Sequence, residues 1–135
     1  MFNYDPKHKD TLPYYDRFPL IFPINRAKGG FMGINMHYLP PVLRAKLMDA
    51  LYETSNNKYY DETTKLKLSY QTLAGASKFK EFKPCIKHYL TGQLRSRLIY
   101  ISPTEWDVAL FLPTARFVGA TQSQVFKDSR KIIRG

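Results

Sequence analysis

Apolar and polar positions in residues 13–40 predict a β-hairpin. The segment is dense in aromatic and aliphatic side chains, and proline and glycine interrupt it. Pro19 and Pro23 lack a backbone donor, which favours an edge strand or an irregular extended segment. The pair Gly29-Gly30 marks a turn between two apolar runs. The pattern therefore indicates two strands with one edge that cannot fully pair.

The same kind of pattern predicts the remaining elements and the fold class. Strands are expected at residues 18–24, 31–37 and 95–101. Helices are expected at residues 40–53, 62–76, 83–90, 106–110 and 121–133, where apolar residues recur at helical spacing or proline suits the first turn. This order is typical of an α+β fold with a small, mostly antiparallel sheet and several short helices. We expect a single domain at residues 18–135, ending in a C-terminal helix.

The chain is large enough for a true hydrophobic core. It has 135 residues, of which 44% are hydrophobic and 15% aromatic, so most of it should be ordered. The residues expected in the core include Leu47, Leu51, Trp106 and Phe111. No apolar run approaches the roughly 20 residues that a membrane-spanning helix needs, so no membrane partner is expected.

Residues 1–17 are predicted to form an extended N-terminal arm. The residues expected to anchor this arm on other protein subunits are Phe2, Tyr4, Tyr14 and Tyr15. Aromatic side chains are poor residues to leave in water and are enriched at interfaces. The helix at residues 121–133 has a narrow apolar stripe, so we expect it to need a neighbouring subunit as well.

Positive charge points to an anionic partner. The formal net charge is +10, and residues 68–135 carry more of it than residues 1–67. One basic cluster comprises Lys78, Lys80, Lys83, Lys87, Arg95 and Arg97, interleaved with aromatic residues. A second comprises Lys127, Arg130 and Lys131. Cations neutralise phosphates and aromatics stack on bases, so both clusters are predicted to contact DNA or an acidic protein surface. That the lysines only aid solubility remains open.

Catalytic signatures are weak. The single cysteine, Cys85, excludes an intrachain disulfide, and a small buried thiol is favoured over a nucleophile paired with His88. Glu81-Phe82-Lys83 matches the acid–x–lysine element of metal-dependent nucleases, with Asp61 or Glu62 as an upstream acid, but the flanking strands are missing. We therefore expect no enzyme activity, no catalytic residue, no metal site, no cofactor and no small-molecule substrate.

Four motifs carry a resemblance to a known group of proteins. They are YYDRFPLIFPI at 14–24, GGFMGINMHYLPP at 29–41, FKEFKPCIKHYL at 79–90 and SPTEWDVALFLP at 102–113. Together they resemble small proteins of contractile-tailed bacteriophages, notably phages of cyanobacteria and other marine bacteria. Members of this group are described as virion components or as DNA-end-protector-like proteins.

The resemblance implies a part of the virion, made in the host cytoplasm. The main expectation is a non-enzymatic structural or assembly protein of the tail, baseplate or neck. It would dock other phage structural proteins in a symmetric ring through its arm and its basic surface. The alternative is a DNA-binding protein that protects the ends of the phage genome.

Overall fold

Two small antiparallel sheets organise the residues that this computed structural model describes, 1–46 and 80–135. Strand β1 (Tyr15–Asp16) pairs with β5 (Phe117–Val118). A three-stranded sheet has the order β2-β3-β4, with strands at Ile21–Ala27, Gly30–Asn35 and Ile86–Leu90. Helices accompany both sheets, so the expected α+β fold is confirmed.

The predicted hairpin is present as β2 and β3. A two-residue loop, Lys28-Gly29, joins the strands, and Gly29 has a φ of 76°, a conformation that glycine adopts without strain. The register shifts between Pro23 and Asn25, which leaves a bulge at Ile24. Strand β2 lies at the edge of its sheet, as the prolines predicted.

The third strand of this sheet is not the predicted one. The expected helix at residues 83–90 is instead a 3-10 helix, Lys80–Cys85, followed by β4. Strand β4 pairs with β3 from Ile34 opposite Ile86 to Gly30 opposite Leu90. The expected strand at 95–101 has no regular secondary structure. The helix was expected because Pro84 suits an early helical position. Pairing with β3, which is distant in sequence, outweighs this local signal.

Three of the predicted helices are present, at least in part, among the described residues. Residues 41–46 are helical. The described residues do not include 47–79. The expected helix at 62–76, the second half of the one expected at 40–53, and the expected core residues Leu47 and Leu51 therefore lie outside them. The helices Trp106–Phe111 and Gln122–Arg134 match the expectations for 106–110 and 121–133. The side chain of Thr121 caps the second of these by accepting a hydrogen bond from the Gln124 amide.

The core corrects two expectations. Phe111 is 50% exposed, so it is not a core residue, while Trp106 is half-buried with its ring edge-on to Phe22 at 5.2 Å. The main core is formed by side chains of β3, the following turn and the helices, among them Ile34, Leu39 and Leu110. No helix in the described residues is long and apolar enough to cross a membrane.

The first residues of the N-terminal segment pack into the core of the domain. Phe2 is fully buried and Tyr4 is 8% exposed, and both rings pack edge-on to Tyr89 of β4. The expectation that these two aromatics anchor another subunit is therefore wrong, because they already cover the sheet of their own domain. Tyr14 and Tyr15 are half-buried, and their role at a subunit interface stays a prediction.

The terminal helix, Gln122–Arg134, also packs on its own domain. Val125 is fully buried, and the buried Ser129 hydroxyl donates to the Tyr38 carbonyl at 2.8 Å. The expectation that this helix lies against other subunits rather than its own domain is therefore wrong. The core of its own domain covers the apolar stripe of the helix, as the place of Val125 in that core shows.

Candidate nucleic-acid interface

A buried carboxylate fixes the backbone between the two sheets. Asp16, in β1, is 4% exposed. Its Oδ1 accepts hydrogen bonds from the Phe18 and Arg116 amides, each at 3.0 Å. Its Oδ2 accepts from Asn35 Nδ2 at 3.1 Å and lies 2.5 Å from His37 Nδ1. Burying a charge is costly unless it is fully hydrogen-bonded, and these four partners meet that requirement.

This anchoring places two arginines side by side. Strands β1 and β5 pair Tyr15 with Val118, and beyond their last pair the Arg17 amide donates to the Arg116 carbonyl at 2.8 Å. Side chains alternate between the two faces of a strand. Because Asp16 points inward, Arg17 points outward, and both it and Arg116 are exposed.

Both arginines line an open cleft of about 1030 Å³. The cleft also contains two further cations, Lys9 and Arg95. Its aromatic residues are Tyr4, Tyr15 and Phe18. Tyr4 is buried, whereas Tyr15 and Phe18 are half-buried and keep part of their ring surface accessible. Cations beside accessible ring surface are the combination that holds a nucleic-acid backbone and its bases.

One carboxylate, Asp5, is present among the described residues that line the cleft. Lys9 Nζ lies 3.2 Å from Asp5 Oδ1, and Arg95 Nη2 lies 3.9 Å from Asp5 Oδ2. Asp5 therefore neutralises part of the charge of Lys9 and Arg95. Arg17 and Arg116 have no carboxylate within ion-pair distance in the parts of the chain that the structure describes.

The first predicted basic cluster does not form one surface. Arg95 lies in the cleft, and Arg97 is exposed on the same segment. Lys83 is exposed on the 3-10 helix, whereas Lys87 is half-buried with its Nζ 4.1 Å from the centre of the Tyr38 ring. Burial lowers the pKa of Lys87. Lys78 and the side chain of Lys80 lie outside the described residues.

The second predicted cluster forms a separate basic face. Lys127, Arg130 and Lys131 are exposed on the terminal helix. This helix packs against the 3-10 helix that carries Lys83. The structure thus brings the helix of the second cluster beside one member of the first.

The predicted inertness of Cys85 agrees with its surroundings. The residue is fully buried, and burial raises the pKa of its thiol to about 12. A neutral, inaccessible thiol is not a nucleophile. His88 is exposed, with Nε2 2.9 Å from the Lys28 carbonyl oxygen.

Sequence reasoning missed most of the cleft and one buried arginine. Lys9, Arg17 and Arg116 are scattered along the chain, and no spacing rule connects them. Arg44, in the helix expected at 40–53, is 4% exposed, and its guanidinium donates to three backbone carbonyls, those of Leu39, Leu110 and His37. The one available signal was the charged pair Asp16-Arg17 inside an aromatic run.

Comparison with protein families gives a match over nearly the whole chain. The family model described as phage T4 terminal DNA protecting protein matches residues 1–133. No curated protein and no solved structure matches. The family match supports the expected DNA-end protector better than the expected tail, baseplate or neck protein.

Proposed function

This chain belongs to the family of the phage T4 terminal DNA protecting protein, and we propose that it binds phage DNA ends and shields them without catalysing a reaction. Binding would occlude the terminus, so that an exonuclease cannot engage it. DNA is then the main partner, and no cofactor is required. The phage assignment follows from the family, while the binding surface is argued from the residues of this chain.

The observation that carries the proposal is the basic cleft. Four cations and the half-buried rings of Tyr15 and Phe18 converge there, with Asp5 as the one carboxylate among the described lining residues. The cleft is open to solvent, so its cations are accessible to a DNA end. Phosphate contacts supply most of the affinity of proteins for DNA and make it depend on salt.

An exonuclease-protection experiment tests this function. Linear duplex DNA is incubated with the protein and then exposed to an exonuclease that degrades from duplex ends, and the remaining full-length DNA is measured. We expect protection that weakens steeply as salt rises. Closed circular DNA of the same sequence should bind more weakly than the linear form, because it has no ends.

Two matched variants locate the binding surface. Arg17→Ala should reduce protection, whereas Arg26→Ala, which removes another exposed arginine, from β2 outside the cleft, should not. Failure of the wild-type protein to protect linear DNA, or equal binding to circles and linear DNA, would overturn the proposal. Equal loss of protection in both variants would show that the DNA-binding surface is not confined to the cleft.

We also place the protein in the virion, bound to the packaged genome after synthesis in the host cytoplasm. A specific feature favours contact with a phage structural protein as well. Leu98, Ile99 and Tyr100 are 63%, 50% and 77% exposed, an unusual run of apolar residues in water. Mass spectrometry of purified particles tests the location: the chain should co-purify with full heads and be absent from DNA-free tails.

A further inference from the structure

We propose that Arg17 and Arg116 form a binding site for the terminal phosphate monoester of a DNA strand. The inference rests on the proposed function, because it names the chemical group at the DNA end that the cleft recognises. It goes further because a site for a terminal phosphate would distinguish the end of a DNA strand from its interior. The argument uses the position, the free donors and the charge of the two guanidinium groups.

The pairing of β1 with β5 makes the two arginines neighbours. The backbone bond from the Arg17 amide to the Arg116 carbonyl, 2.8 Å long, extends the pairing of β1 with β5. Like charges on adjacent strands destabilise a sheet. Among the described residues no carboxylate forms an ion pair with either guanidinium group, since Asp5 engages Lys9 and Arg95 and the Asp16 carboxylate faces the interior. An anionic ligand between the two side chains would offset it.

Asp16 fixes this arrangement before any ligand arrives. Its Oδ1 accepts hydrogen bonds from the amide of Phe18, which follows Arg17, and from that of Arg116, which lies opposite Arg17. Its Oδ2 is hydrogen-bonded by the side chains of Asn35 and His37. Asp16 is thus a positioning residue. A rigid backbone lowers the entropy lost when the arginines bind a ligand.

Donors remain available on both guanidinium groups. Arg116 Nη1 donates to the carbonyls of Pro113 at 3.3 Å and Ala115 at 2.9 Å, which orients the group and leaves Nη2 and Nε for a ligand. The guanidinium of Arg17 makes no hydrogen bond with the described residues. Guanidinium groups present paired donors that match phosphate oxygens.

Charge selects the terminal phosphate over an internal one. A phosphate monoester carries roughly two negative charges at neutral pH, because its second pKa is about 6, whereas each internal diester of the backbone carries one. Two arginines match the monoester. Such a site would distinguish a DNA end from the far more numerous internal phosphates of the same molecule.

The test compares two ends of identical sequence. Blunt duplexes carrying 5′-phosphate or 5′-hydroxyl termini are titrated with the wild-type protein at fixed salt. We expect the phosphorylated end to bind about tenfold or more tightly, the scale of a charge-assisted contact. Arg17→Ala and Arg116→Ala should each reduce this preference to below about twofold, whereas Arg26→Ala should keep it. Circular dichroism of each variant verifies the fold.

Competition separates the two sources of phosphate. Inorganic phosphate should displace the phosphorylated duplex only at concentrations far above those of a 5′-phosphorylated oligonucleotide. Equal potency of the two would overturn the inference, since the site would then take phosphate without DNA. Equal affinity for both duplex ends would also overturn it, yet would leave the proposed function standing, whereas failure to bind any DNA end would overturn both.

Discussion

Asp16 and His37 form a hydrogen-bonded pair in the protein interior. Oδ2 of the carboxylate lies 2.5 Å from Nδ1 of the imidazole, and both side chains are 1% exposed. Because an ionised carboxylate only accepts, Nδ1 is the donor. His37 Nε2 lies 3.1 Å from the Thr114 hydroxyl, which ties the pair to the segment before β5. This buried chain of polar groups joins both sheets and supports the backbone of the arginine pair.

Acid should destabilise the protein through Asp16. Burial alone raises the pKa of Asp16, but the hydrogen bond and charge of His37, with the Phe18 amide and Asn35, bring it below the ordinary 3.8. The unfolded chain therefore takes up this proton first as pH falls. The stabilisation is present above about pH 3.8 and is lost as pH falls through the lower folded pKa.

Urea unfolding between pH 7 and pH 3 measures this effect. Asp16→Asn should lower the free energy of unfolding at pH 7 and flatten its decline below pH 4. Asp10→Asn, at an exposed carboxylate, is the control and should resemble the wild type. Parallel curves for the wild type and Asp16→Asn would contradict the assignment.

Gly30→Ala should disrupt the pairing of β3 with β4. A Cβ at this position would lie 1.8 Å from the Tyr89 carbonyl oxygen, and a backbone atom in a sheet cannot move aside easily. The strands would have to separate locally, at a cost of about 1–3 kcal/mol or more. Gly92→Ala is the matched control, because nothing lies within 4 Å of its Cβ. Thermal unfolding should show a lower Tm for Gly30→Ala alone.

Local signals in the sequence predicted the elements that are stabilised locally. Prolines and a glycine pair marked the β2–β3 hairpin. A proline suited to the first helical turn marked Trp106–Phe111, and helical spacing marked Gln122–Arg134. Strand β4 was missed because residues 86–90 acquire their conformation from β3, more than 50 positions earlier. Short apolar runs fit either helix or strand, and only the partner decides.

The candidate site was less predictable than the fold. Of its four cations, Arg95 alone belonged to a predicted cluster, because charge density along the chain finds clusters that are local in sequence. Arg17 and Arg116 meet through the pairing of β1 with β5, across about a hundred residues. The inward position of Asp16, which turns Arg17 outward, depends on the burial of a charged side chain, and a local sequence pattern does not predict such burial.

Cys85 should be unreactive in the folded protein. Its thiol is fully buried, and a pKa of about 12 leaves almost no thiolate at neutral or mildly alkaline pH. It is the one cysteine in the chain, so a thiol assay reports on it alone. Ellman's reagent at pH 8 should react within the mixing time in denaturant and only at the rate of protein opening without it. Rapid reaction of the native protein would contradict the buried position.

Phe2 should contribute to the stability of the isolated domain. The ring is fully buried against Tyr4, Phe31 and Tyr89, so truncation to alanine leaves a cavity and should cost about 3–5 kcal/mol. Phe111→Ala is the control, because the same change at a half-exposed ring should cost much less. Chemical denaturation of both variants measures the difference.

Deletion of residues 1–12 extends the same prediction to the whole segment. It removes both buried aromatics, the bond from the Tyr4 amide to the Arg17 carbonyl and the acceptor of the Arg95 amide, the Asn3 carbonyl. The truncated protein should therefore unfold or aggregate on its own. A truncated protein with native circular dichroism and an unchanged Tm would instead restore the interpretation of this segment as an arm that docks on other subunits.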